Sequence, residues 1–142
     1  MIIGEKINSQ TIASLIPHSG SMCLIEQVGS WDNESIICRS STHRNLDNPL
    51  RMNNQLSAIH LLEYGAQAIA IHGGLLTKTT QPGFLAAIRN AVFYCERIDT
   101  LDSEIIIHAK AEVNTEKGAI YNFGITASDL ILVEAYATVI NV

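Results

Sequence analysis

From Gln55 to Thr77 the chain reads QLSAIHLLEYGAQAIAIHGGLLT, and its apolar residues Leu56, Ile59, Leu62, Ala66, Ile69, Ala70 and Leu76 recur at helical spacing. Leu61, Ala68, Ile71 and Leu75 fill most of the remaining surface, so the pattern predicts a helix that is apolar nearly all round and therefore buried. At about 100° per residue, His60, Glu63, Tyr64 and Gln67 project from one face, with His72 about a third of a turn away. A carboxylate on a buried helix calls for a partner or a task.

The rest of the chain alternates. Ser9 can cap a short amphipathic helix through Ile16, with Ile12, Leu15 and Ile16 inward and Pro17 closing it. A first strand is predicted from about Met22 to Val28, a turn at Trp31-Asp32-Asn33, and a second strand over Ser35 to Ser41. THRNLDNPLRMNN has no sustained period and reads as a loop leading into the helix. Beyond the helix, GFLAAIRNAVFYCERI is a strand whose alternation shifts phase near Arg89-Asn90, the mark of a bulge. Three further strands follow, at 104–113, 119–127 and 130–140, with hairpin turns at Lys117-Gly118 and Ser128-Asp129. A short helix, two strands, one buried helix and four strands fit an α+β domain in which an antiparallel sheet wraps a single central helix.

Composition narrows the classes. The 142 residues suit one domain over 1–142, with a core that needs no disulfide or metal. A net charge of −5 and the lack of a basic run argue against a nucleic-acid surface. Glu63, Gln67 and two histidines make the central helix a costly membrane span. The first residues, MIIGEKINSQ, lack the apolar core of a secretory signal, and Cys23, Cys38 and Cys95 are odd in number and widely spaced. These features predict a cytoplasmic protein with buried, reduced thiols.

Three segments in order, LIPHSGSMCLIEQV, LLEYGAQAIAIHGG and PGFLAAIRNAVFYCERIDTLDSEIIIHAKAEV, resemble the 3-hydroxyacyl-ACP dehydratases, with the closest likeness to the divergent branch associated with aryl polyene and polyketide pathways. The resemblance spans almost the whole chain. It implies the hotdog fold, a homodimer or a heterodimer with another hotdog subunit, and loss of water from a 3-hydroxyacyl thioester held on the phosphopantetheine of acyl carrier protein, with no cofactor of the protein's own. It also implies that Glu63 occupies the family's carboxylate position. The chain departs from the main fatty-acid branch in one respect. Where that branch has a His-Phe-Pro-Gly loop before the helix, the interval NPLRMNNQLSA holds no histidine.

Such a dehydration needs a base for the C2 proton, an acid for the C3 hydroxyl and a polarised carbonyl. Glu63 is the candidate acid, since burial favours the proton-bearing carboxyl; the plainer reading is a structural carboxylate paired with Tyr64 or Gln67. His18, at the mouth of the first strand, is the candidate base, against a turn histidine bonding backbone. His43 stands on the loop approaching the helix, where a solvated ring is the ordinary outcome. His60 lies one turn before Glu63 and could bond it, or sit satisfied in a dimer interface. Gln67 could touch substrate. Amides from Ser57 to Ile59, around Ala58, could polarise the carbonyl from a helix N-terminus. His72 and His108 read as structural, and His60, Glu63 and His72 do not converge on a metal. Arg51, Arg89 and Arg97 could meet a phosphate or an acidic carrier, and Phe84 and Tyr94 could line an acyl channel. The alternatives are a hotdog thioesterase and a catalytically weak subunit that completes a heteromeric dehydratase.

Overall fold

A computed structural model describes residues 9–15, 20–77 and 83–141. Helix α1 (Ser9–Leu15) and strands β1 (Gln27–Trp31) and β2 (Ser35–Ser40) precede the central helix α2 (Leu61–Thr77). Strands β3 (Gly83–Phe93), β4 (Ile105–Thr115), β5 (Gly118–Ala127) and β6 (Leu130–Asn141) follow it. All neighbouring pairs are antiparallel, in the order β1-β2-β4-β5-β6-β3.

Register turns the alternation of each strand into apolar rows across the inner face. One row runs Val28, Cys38, Ile107, Ile125, Val133, and a second runs Ile36, Ala109, Phe123, Ala135. All are buried, and α2 lies across them on β2, β4 and β5, with α1 packed against α2. Close approach is built in at Gly65, where a Cβ would overlap the Phe123 ring. Only glycine lets helix and sheet meet there.

Several boundaries differ from the pattern: β3 ends at Phe93 rather than Ile98, Gly118 opens β5 rather than lying in the turn, and two further differences have a tertiary reason. The first ladder starts at Gln27 rather than Met22, because Leu24 spends both backbone groups on side chains: its N–H donates to Gln67 Oε1, and its carbonyl accepts from Ser40 and Thr42 hydroxyls. The central helix starts at Leu61, after a 3-10 turn over Ala58–His60. The residues before it are tied to 96–99: Leu56 N–H donates to Asp99 Oδ1, Ile98 N–H to Leu56 O, and Ala58 N–H to Glu96 O, with Ser57 between them extended. The bulge expected near Arg89-Asn90 is present, with Asn90 at φ 54°. The turn at Ser128-Asp129 has both residues at positive φ, as a two-residue type I′ hairpin requires.

Residues 41–54, read as a loop, are stapled from within. The Arg51 guanidinium donates to the carbonyls of His43, Asn45 and Asn54, so it is committed to backbone rather than presented to a phosphate. Asn48 Nδ2 donates to Thr42 O and to the buried Tyr64 hydroxyl, which also shares a hydrogen bond of 2.7 Å with Thr42 Oγ1. This network ties the segment to the first turn of α2.

Candidate active site

The polar face of α2 divides on folding. Tyr64 and Gln67 are fully buried, whereas Glu63 and His60 are half-buried. Gln67 organises the region through three hydrogen bonds. Its Oε1 accepts from Leu24 N–H at 2.8 Å, while its Nε2 donates to Met22 O at 2.7 Å and to Glu63 Oε2 at 3.0 Å. An amide oxygen facing an N–H and an amide nitrogen facing two oxygens leave one consistent orientation, so the amide cannot flip. Gln67 therefore joins the segment before β1 to the Glu63 carboxylate, and its side chain is enclosed.

Glu63 lines a cavity of about 580 Å³ between α2 and the sheet. On the helix side the wall continues through Ala66, Ala70 and Gly73 to Thr77. On the sheet side it includes Leu85, Ala119, Tyr121 and Val139. The Tyr121 hydroxyl is already engaged. His72 Nε2 faces the Asp32 carbonyl at 2.7 Å and must carry the proton, which leaves Nδ1 to accept from Tyr121 at 2.6 Å. Burial keeps this histidine below its ordinary range and pushes the phenol up to about 12, so Tyr121 gives the cavity its ring and not a titrating group. His72 thus joins the β1–β2 turn to β5, the structural role expected of it.

The other candidates are placed as follows. His18 lies outside the described residues, as does the Phe84 side chain. His43 is fully buried rather than solvated. Its Nε2 donates to Leu101 O at 3.2 Å, its Nδ1 has no hydrogen-bond partner among the described residues, and it does not line the cavity. Among the described residues it is Gln67, and not His60, that donates a hydrogen bond to Glu63 along the helix. The amide of Ala58 is donated to Glu96 O and that of Ile59 to Ser57 Oγ at 3.2 Å, so these two of the carbonyl donors expected over Ser57 to Ile59 are engaged within the protein. Arg97 is paired with Asp99, Tyr94 is exposed and donates to Glu134 at 2.8 Å, and His108 is exposed. Cys38 is buried with its thiol pushed up to about 12, while Cys23 and Cys95 are only partly covered; all three are free. Among the described residues no cluster of His, Cys, Asp and Glu could hold a metal, and no helix is long and apolar enough to cross a membrane.

The buried ring of His43 makes the fold pH-sensitive. Desolvation, reinforced by the positive charge of Arg44, holds its folded pKa below the unfolded value of about 6.5. The folded state then binds fewer protons than the unfolded one, so stability is complete above that value and is withdrawn as pH falls below it. His72, shifted the same way, adds to the slope. Melting temperature measured from pH 8 to pH 5 is expected to fall on the acid side, and His43→Gln, which keeps a donor for Leu101 O, is expected to flatten that fall in part. An unchanged slope in the variant would clear His43 of the effect.

A six-stranded antiparallel sheet wrapped round one long helix defines a hotdog-fold protein. The chain belongs to the ApeP-like family of ApeP dehydratases, which it matches over residues 10–142. Among solved structures it is similar to the dehydratase heterocomplex ApeI:P from Xenorhabdus doucetiae, with TM-score 0.83 and 21% identity over 92% of this chain and 90% of that one. It is also similar in fold to a hypothetical thioesterase bound to coenzyme A from Streptococcus pneumoniae TIGR4, with TM-score 0.58 and 10% identity over 81% and 84% of the two chains. The PaaI protein of the E. coli phenylacetic acid degradation operon superposes with TM-score 0.62 and 9% identity over 80% and 81%. No curated protein matches the sequence.

Proposed function

We propose that this chain is the Glu63-bearing subunit of a heteromeric dehydratase, paired with a second hotdog chain, that removes water from 3-hydroxyacyl thioesters on acyl carrier protein in aryl polyene or related polyketide synthesis. The observation that carries the proposal is Glu63 on the wall of the cavity between α2 and the sheet, with its carboxylate held by a fully buried glutamine. Family membership supports the reaction class, and the likeness to a dehydratase heterocomplex supports the pairing.

In this reading Glu63 gives a proton to the C3 hydroxyl as the C3–O bond breaks, a base takes the C2 proton, and the electrons of the C2–H bond form the C2–C3 double bond. His18 is assigned as the base. It lies four residues before Met22, whose carbonyl is anchored by the same glutamine that orients Glu63. The cavity takes the apolar chain, and the substrate's own carrier arm replaces any resident cofactor.

The test is to purify the chain alone and together with a candidate hotdog partner subunit from the same genome, and to offer each preparation a 3-hydroxyacyl thioester. Enoyl product from the co-purified pair, with far less from the single chain, is the expected result. Free thiol released without enoyl product would replace the proposal with a thioesterase. A fully active homodimer would remove the need for a second kind of subunit.

A further inference from the structure

We propose that Gly73 sets how long an acyl chain the cavity accepts; this rests on the reading of the cavity as the acyl site. Helix α2 carries three glycines, and two of them have packing reasons. At Gly65 a Cβ would overlap the Phe123 ring, and at Gly74 it would lie 3.1 Å from the Leu15 carbonyl oxygen. At Gly73 a Cβ would meet nothing within 4 Å. A glycine inside a helix costs stability relative to alanine, so one with room for a side chain invites an explanation other than packing.

Its position supplies one. Gly73 lines the same cavity as Glu63, and Ala66 and Ala70 lie between them at helical spacing. Along this row the helix wall is low, while Ile69 and Leu76 of the same helix also line the cavity beside it. On the far wall, Ala119 and Val139 are paired across β5 and β6 and line the same space. A large side chain at position 73 would fill the distal part of the cavity and leave the end beside Glu63 as it is.

The geometry gives a length. Ten residues of helix separate Glu63 from Gly73, a rise of about 15 Å. An extended chain advances about 1.2 Å per bond, taking about 3.6 Å for the three bonds of one extended residue, so it reaches Gly73 after about a dozen bonds. Shorter chains end before that point and are indifferent to the residue there. Longer ones must pass it.

The experiment compares wild type, Gly73→Ala and Gly73→Leu, each assembled with its hotdog partner, on 3-hydroxyacyl thioesters from well short of this reach to well beyond it. Assembly is followed by size-exclusion chromatography. Gly73→Leu is expected to lose about ten- to two-hundred-fold in kcat/KM on chains longer than the reach and less than about twofold on shorter ones, the discrimination that steric exclusion from an apolar site provides. Gly73→Ala is expected to melt higher than wild type and to show a weaker cut at the same length. A uniform loss at every length, no loss at any length, or failure of Gly73→Leu to assemble would overturn the inference, the last by placing Gly73 in an interface rather than beside the chain. Wild type without dehydratase activity at any length would instead remove the functional reading beneath it.

Discussion

Glu63→Gln is expected to lower the rate of enoyl formation about a hundred- to ten-thousand-fold, the usual contribution of one positioned acid or base, without unfolding the protein. The substitution is nearly isosteric. The amide oxygen of the new side chain can still accept from Gln67 Nε2, so the anchor of the segment before β1 survives, but the group has no proton to transfer. The comparison requires matched melting curves and single-turnover rates with wild-type and variant complexes. A rate within a few-fold of wild type would strip Glu63 of its role as the acid, whatever became of the rest of the proposal.

Gln67 should show a different signature. Gln67→Leu removes three hydrogen bonds and leaves the buried Leu24 N–H and the Met22 carbonyl without their partners, at a combined cost of about 2–5 kcal/mol. For a domain of this size the melting temperature should fall by about 10 °C. Because Gln67 acts through Glu63, kcat should fall more than KM rises, and Gln67→Leu added to Glu63→Gln should lower the rate little further. Gln67→Glu preserves an acceptor for Leu24 N–H but turns an oxygen toward Met22 O and the Glu63 carboxylate. It should be destabilised most at neutral pH and partly rescued in acid, which a merely space-filling role for Gln67 would not produce. Additive losses in the double variant would show that the two side chains act independently.

The central helix and the strands after it were legible because each has a strong apolar period over enough residues to be heard above local noise. The ends of elements were not, and the reason is specific. Leu56 and Leu24 are apolar and fit helix and strand patterns, yet their backbone groups are claimed by Asp99, Gln67, Ser40 and Thr42, partners that lie between 16 and 43 residues away. Gln67 itself stood on the polar stripe with Glu63, so the meeting of the two side chains was readable. Its part in holding Met22 and Leu24 was not, since nothing local to Gln67 encodes that meeting. His43 shows the opposite error. It lies among Thr, Arg, Asn and Asp, which read as solvent-facing, but the segment folds back on itself through Arg51 and Asn48 and encloses the ring. The signal available for the cavity was the spacing of Ala66, Ala70 and Gly73, which periodicity scores as ordinary helix surface because small residues fit either a packed seam or an open wall.

The strand order has a consequence for synthesis. Strand β3 is complete at Phe93, but its hydrogen-bonding neighbour within the chain, β6, begins only at Leu130 and is reached after β4 and β5 have been made. At about 5–20 residues per second, β3 leaves the ribosome roughly two to seven seconds before its intramolecular partner starts to appear. During that interval both of its edges are unpaired within the chain, and even in the finished sheet one of them remains at the margin. A nascent chain in this position has its most exposed strand on offer early, so the order in which subunits are made can decide what that strand meets first.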